Sequence, residues 1–154
     1  MAEAKVTPRR NVNRGYRKLI VWQDAVSYYV LTCRVFRTLP YSLRRVASNQ
    51  VASADSVHRN IAEGYCRRSA TEYLRFLNIA LSSAGESVSG LHACRQAGQI
   101  TDADFEEADA LAYKLENGLS RLIQRVDEKR YNGEWQERLI VQESNAAYGD
   151  HPVD

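Results

Sequence analysis

Residues 1–75 carry 14 Lys and Arg against 5 Asp and Glu, and residues 76–154 carry 7 against 14, so a formal charge of only +2 conceals a chain that is basic first and acidic later. A cluster of cations does one kind of chemistry well. Each Lys or Arg that neutralises a phosphate releases condensed counterions, which gives a sequence-independent, salt-dependent affinity for polyanions. Lys5, Arg9, Arg10, Arg14, Arg17 and Lys18 form an N-terminal arm opposed only by Glu3, while Arg44-Arg45 and Arg67-Arg68 stand at opposite ends of one expected helix and Arg34, Arg37, Arg59 and Arg75 lie on helices. Tyr16, Tyr41 and Tyr65 lie close by and can stack on unpaired bases. The expected nucleic-acid contacts, to RNA or DNA, are therefore Arg9, Arg10, Arg14, Arg17, Lys18, Arg44, Arg45, Arg67, Arg68 and Arg75. The plainer reading is a solvated arm, with Arg59 in a surface ladder between Asp55 and Glu63 and Arg67 and Arg68 serving the end of the preceding helix.

Other chemistry finds no support in the residue pattern. His58, His92 and His151 form no His-Glu-x-x-His motif, no nucleophile elbow or phosphate-cradling loop is present, and no Glu has a His three residues later, as di-metal bundles require. The acidic run Asp102, Asp104, Glu106, Glu107 and Asp109 lacks the glycine turn of a calcium loop and suits the first turns of a helix, where the macrodipole favours negative charge. The chain thus reads as a non-enzyme without metal or cofactor. Cys33, Cys66 and Cys94 are odd in number and widely spaced, which fits free thiols in a reducing compartment.

Helices must position these residues. Trp22, Ala25, Tyr29, Cys33 and Phe36 share a face that ends before Pro40; Leu43, Val46, Ala47, Ala54, Val57 and Ile61 form a second stripe; Leu74, Leu77, Leu81, Ala84, Val88 and Leu91 a third; Phe105, Ala108, Leu115, Leu122 and Val126 a fourth. Gly64 reads as a left-handed helix stop, Ser69 to Glu72 as a capping box, Gly98 as the next stop and Thr101 as the next start. These signals predict an all-α fold, an antiparallel up-down four-helix bundle with helices near 20–39, 42–63, 69–97 and 101–130. The expected organisation is a disordered basic arm over 1–15, the bundle over 16–131 and a tail over 132–154, in which Trp135, Leu139 and Ile140 can form a short docking helix.

The run Asn60-Ile61-Ala62-Glu63-Gly64, followed by Arg67, Ser69, Glu72-Tyr73 and Phe76-Leu77-Asn78-Ile79-Ala80, carries a resemblance, as does the opening Tyr16 to Leu19 with Val21-Trp22-Gln23 and Ala25. Over roughly Tyr16 to Tyr131 the chain resembles the four-helix-bundle proteins first noticed in intervening sequences of bacterial 23S ribosomal RNA genes. That family includes the accessory variability determinant of diversity-generating retroelements, which forms a basic pentameric barrel, binds a reverse transcriptase and contacts nucleic acid. The resemblance implies the same bundle, a cyclic homopentamer, a nucleic-acid partner and a reverse-transcriptase partner. Ala52-Ser53 stands where relatives often place two arginines, which weakens a nucleic-acid role for the middle of the second helix.

A second apolar set on the third helix, Tyr73, Phe76, Ile79 and Ala80, exceeds what the Leu74 stripe can accommodate and is the expected oligomer interface. With 44% hydrophobic residues the chain can bury a core, and it has no apolar run long enough to span a bilayer and no secretory signal, so a cytoplasmic protein is expected. Three functions follow as expectations: an accessory subunit that helps a reverse transcriptase assemble on template RNA, an intervening-sequence protein with an RNA-related or unknown role, or an interaction module that recruits an acidic protein.

Overall fold

The computed structural model describes residues 12–135. Its elements are a short 3-10 helix, Val12–Lys18, then α1 (Ile20–Phe36), a single 3-10 turn at Tyr41–Leu43, α2 (Arg44–Cys66), α3 (Ala70–Gln96) and α4 (Asp102–Tyr131). Among the described residues there is no strand, and no helix is long and apolar enough to cross a membrane. The helices alternate in direction, consecutive ones pack side by side, and α1 closes against α4, giving the expected up-down bundle.

The ends follow from local chemistry. Thr101 caps α4 by accepting from the Asp104 amide at 3.1 Å, and Gly98, at φ +69°, stops α3 in a left-handed turn where the Gln99 amide reaches back to the Cys94 carbonyl. Ser69 caps α3 through the Glu72 amide at 3.4 Å, but only half of the expected capping box forms. The Glu72 carboxylate faces Arg67 instead.

Gly64 departs from the expectation. It lies buried inside α2, which continues to Cys66 before Arg67 turns extended, so the connector shortens to Arg67–Ser69. A Cβ on Gly64 would sit 2.7 Å from the Phe76 Cβ, so the glycine is required by the close approach of α2 to α3 rather than by a left-handed turn. The expected arm boundary moves as well, since residues 12–15 belong to the 3-10 helix that packs on α2.

The core runs along the bundle axis through Ala25, Val57, Ile61, Leu77, Leu91, Leu115 and Leu119. The buried face of α1 is rotated from the expected one: Tyr28, Leu31, Thr32 and Val35 point inward, while Trp22, Tyr29 and Cys33 are half-buried. The reason is polar. Tyr28 is fully buried because its hydroxyl meets Ser87 Oγ at 2.7 Å, and Gln50 Nε2 donates to the Ser87 carbonyl at 3.1 Å. Burial pushes the Tyr28 phenol above its ordinary pKa, so it stays protonated and available to donate.

Candidate nucleic-acid interface

The alternation of helix directions decides which cations meet. The 3-10 helix, the end of α2, the start of α3 and the residues after α4 converge at one end of the bundle, where Cys66 Sγ donates to the Asn13 carbonyl and Trp135 Nε1 donates to the Arg68 carbonyl at 3.0 Å. This basic end gathers Arg14, Arg17, Lys18, Arg67, Arg68 and Arg75 from the expected set. Arg44 and Arg45 begin α2 at the opposite end, roughly 35 Å away for 23 residues at about 1.5 Å each. Arg9 and Arg10 lie outside the described residues, as do Lys5, Leu139 and Ile140.

Availability separates these cations further. Arg14, Arg17, Lys18, Arg45 and Arg68 are exposed and make no ion pair among the described residues. Arg67 is held between Glu63 at 3.1 Å and Glu72 at 3.8 Å, with its guanidinium over the Phe76 ring. Arg75 is exposed beside the same ring, and Arg44 lies over Tyr41. Three cations that the sequence reading passed over complete the basic end: Arg121, Arg125 and Lys129, exposed at four-residue intervals in the last turns of α4. That spacing was legible, but the acidic total of the second half of the chain obscured it.

An aromatic chain underlies the cations. Trp22 and Tyr16 have ring centroids 5.4 Å apart, Tyr16 and Tyr65 6.2 Å, Tyr65 and Tyr73 6.2 Å, and Tyr73 and Trp135 5.9 Å. Tyr16 and Tyr65, expected to stack on bases, are half-buried in this chain and spend their faces on neighbouring rings. The exposed aromatic residues among those described are instead Tyr41, at the far end, Tyr113 on α4, and Tyr131, 90% exposed at the basic end. Burial pushes the Tyr73 phenol well above its ordinary range, and burial followed by the Glu63 charge raises the Cys66 thiol. Cys66 is therefore a poor nucleophile.

The expected oligomer set divides. Tyr73 and Ala80 are buried within the chain itself, Phe76 is half-buried between α2 and the arginines, and Ile79 is exposed. The bundle accommodates the set because Gly64 lets α2 approach Tyr73 and Phe76 closely. Tyr73 and Ala80 are thus core residues, which leaves Ile79 and the open edge of Phe76 as surface.

The acidic run at the start of α4 is met by arginines. Arg34 on α1 pairs with Glu107, and Arg95 at the end of α3 reaches Asp102 at 3.0 Å and Glu106 at 3.7 Å. Because α4 lies beside α1, acidic and basic segments become neighbours, and the sequence asymmetry does not become a two-faced molecule. On α2 only half of the expected ladder forms: Asp55 accepts from Arg59 and from His58, while Glu63 pairs with Arg67 instead of Arg59; burial alone would raise the Asp55 pKa, but these hydrogen bonds and charges outweigh it and hold the carboxyl below its usual value.

The comparisons agree with this architecture. No curated protein matches the chain. A crystal structure of a protein with unknown function from the S23 ribosomal protein family of Bacteroides thetaiotaomicron superposes with a TM-score of 0.64 at 20% identity, covering 68% of this chain and 96% of that one, a likeness of fold. The model of the 23S rRNA-intervening sequence proteins matches residues 17–121, a span that includes all of the first three helices and most of the fourth, and the chain belongs to that family.

Proposed function

We propose that this chain is a non-enzymatic, oligomeric accessory protein that binds nucleic acid through the basic end of its bundle and works beside a reverse transcriptase in a diversity-generating retroelement. The observation that carries the binding is the convergence of Arg14, Arg17, Lys18 and Arg68, exposed and without ion pairs among the described residues, with Arg121, Arg125 and Lys129 from α4. Such a cluster tracks a phosphate backbone without reading bases. In the sequence, Lys5, Arg9 and Arg10 precede the 3-10 helix that carries Arg14, Arg17 and Lys18. Repetition of the patch around a ring, a pentamer by resemblance, multiplies the phosphate contacts. The partnership with a reverse transcriptase rests on the resemblance of the central motif and is tested by co-purification with the enzyme and its template RNA.

A second reading starts from the family match, a 23S rRNA-intervening sequence protein, and takes its role to be RNA-related without a reverse transcriptase. Both readings share one test. Reversing Arg9, Arg10, Arg14 and Arg17 to Glu weakens binding to structured RNA or single-stranded DNA and flattens its salt dependence, by about 0.7 to 0.9 in log–log slope per lost phosphate contact, while helicity by circular dichroism is unchanged. Reversing Arg44 and Arg45 has the smaller effect. Equal affinity before and after the first reversal sinks the proposal and leaves recruitment of an acidic protein.

A further inference from the structure

We propose that the seam between α1 and α4, where it opens at the basic end, is a groove that takes one strand of nucleic acid in preference to a duplex. That the ligand is a nucleic acid rests on the function proposed above; that the groove calls for an anion rests on its own charges. From the far end as far as Asp24, ion pairs close the seam like a zipper. Arg34 pairs with Glu107, and Lys114 Nζ donates to Asp24 at 3.2 Å. One turn further along α4, Gly118 lets the two helices touch, since a Cβ there would lie 2.8 Å from Val21 Cγ1. The zipper then stops, because no acidic residue lies between Val12 and Gln23 to continue it.

The cations of α4 continue past that point. Arg121, Arg125 and Lys129 follow Lys114 by about two, three and four whole turns, so all three stay on the flank that faces α1. They are exposed and make no ion pair among the described residues. The acids of the same turns are engaged elsewhere, Asp127 with Arg130 at 2.7 Å and Glu128 with Gln124 at 3.1 Å. On the α1 side of the opening stand Arg17 and Lys18, fixed there because Gln23 Nε2 donates to the Arg17 carbonyl at 2.9 Å. Two walls of like charge thus flank Ile20, which is 68% exposed one turn before Asp24. Like charges brought together in this way cost stability until an anion enters. The anion is a single strand because packed helices run only about 8–10 Å apart. One phosphate backbone can lie between the walls with its sugars over Ile20, whereas a duplex, whose major groove alone is about 12 Å wide, rests on top of them.

The test supplies the missing carboxylate in the full chain. Ile20→Glu puts an acid one turn before Asp24, on the side of Arg121, and extends the zipper into the groove. Affinity for a short labelled RNA strand at low salt falls about three- to tenfold. The thermal midpoint of the free protein rises by about 2–4 °C, because the new charge offsets the repulsion and suits the positive end of the α1 dipole. Two controls read the same end of the bundle. Ile20→Gln, which lacks the charge, and Thr71→Glu, which adds it at an exposed site in the first turn of α3 away from the seam, each change affinity by about twofold at most. Unchanged affinity in Ile20→Glu, or an equal loss in Thr71→Glu, overturns the groove and leaves the proposed function standing on a diffuse basic end. A loss that comes with a lower mass by light scattering assigns Ile20 to a contact between copies and overturns the groove as well. The parent should bind the single strand more tightly than the same sequence in duplex form, and equal or tighter binding of the duplex overturns the choice of strand. A parent that binds neither form sinks this proposal together with the function on which it rests.

Discussion

At the residue scale, two glycines that look alike in the sequence have opposite meanings. Gly64 faces Phe76 and Tyr73 so closely that an added methyl must displace both, whereas Gly85 on the exposed side of α3 has nothing within 4 Å of the same position. Gly64→Ala should therefore destabilise the protein by about 1–3 kcal/mol through overpacking. Gly85→Ala should stabilise it by about 0.5–1 kcal/mol through helix propensity and a less flexible unfolded chain. Urea unfolding of the two variants gives midpoints that move in opposite directions. Charged residues were the less legible ones. Arg59 and Asp55, four apart on one helix, could be paired from spacing, but Arg34 and Glu107 lie 73 positions apart and meet only because the bundle closes.

Elements were read more surely, and for a physical reason. Helix ends are local: Thr101, Ser69, Gly98 and Pro40 act on backbone groups within a few residues, and α3 and α4 each begin one residue after a cap read from the sequence. The burial of a face is not local. Tyr28 points inward because Ser87, 59 residues later, offers it a hydroxyl, and no periodicity count on α1 reveals that partner. Gly64 was misread on the same ground, since what it accommodates is another helix. The caps themselves can be weighed. Thr101→Ala should cost about 1 kcal/mol, because it leaves the Asp104 amide unpaired at a helix start where Asp102 and Asp104 already favour the dipole. Thermal unfolding measured beside the neighbouring substitution Ala103→Ser separates loss of the cap from a general change at the turn.

On the scale of the whole molecule, assembly is the open variable. With Tyr73 and Ala80 committed to the core, the apolar surface left on α3 is Ile79, 38% exposed, and the free edge of Phe76. A ring built on this face should fall apart when Ile79 is replaced by Asp, giving a folded species of 17.5 kDa by light scattering where the parent gives a multiple of it. On α1 and α4, Ile20, Val30 and Tyr113 are more exposed, at 68%, 59% and 70%. If Val30→Asp disperses the assembly and Ile79→Asp does not, the contact between copies lies there.

The hydroxyl contact between Tyr28 and Ser87 joins helices that are diagonal to each other, and Gln50 ties the second helix to the same level. Leucine and alanine surfaces tolerate sliding, because one greasy rung resembles the next. A slip of one turn, about 5.4 Å, would strand a phenol, a serine hydroxyl and an amide in hydrocarbon at a cost of several kcal/mol. This single polar rung thus acts as a bolt through the stack: three rods of similar oily composition are held at one height, and every cation at the basic end inherits its place from that alignment.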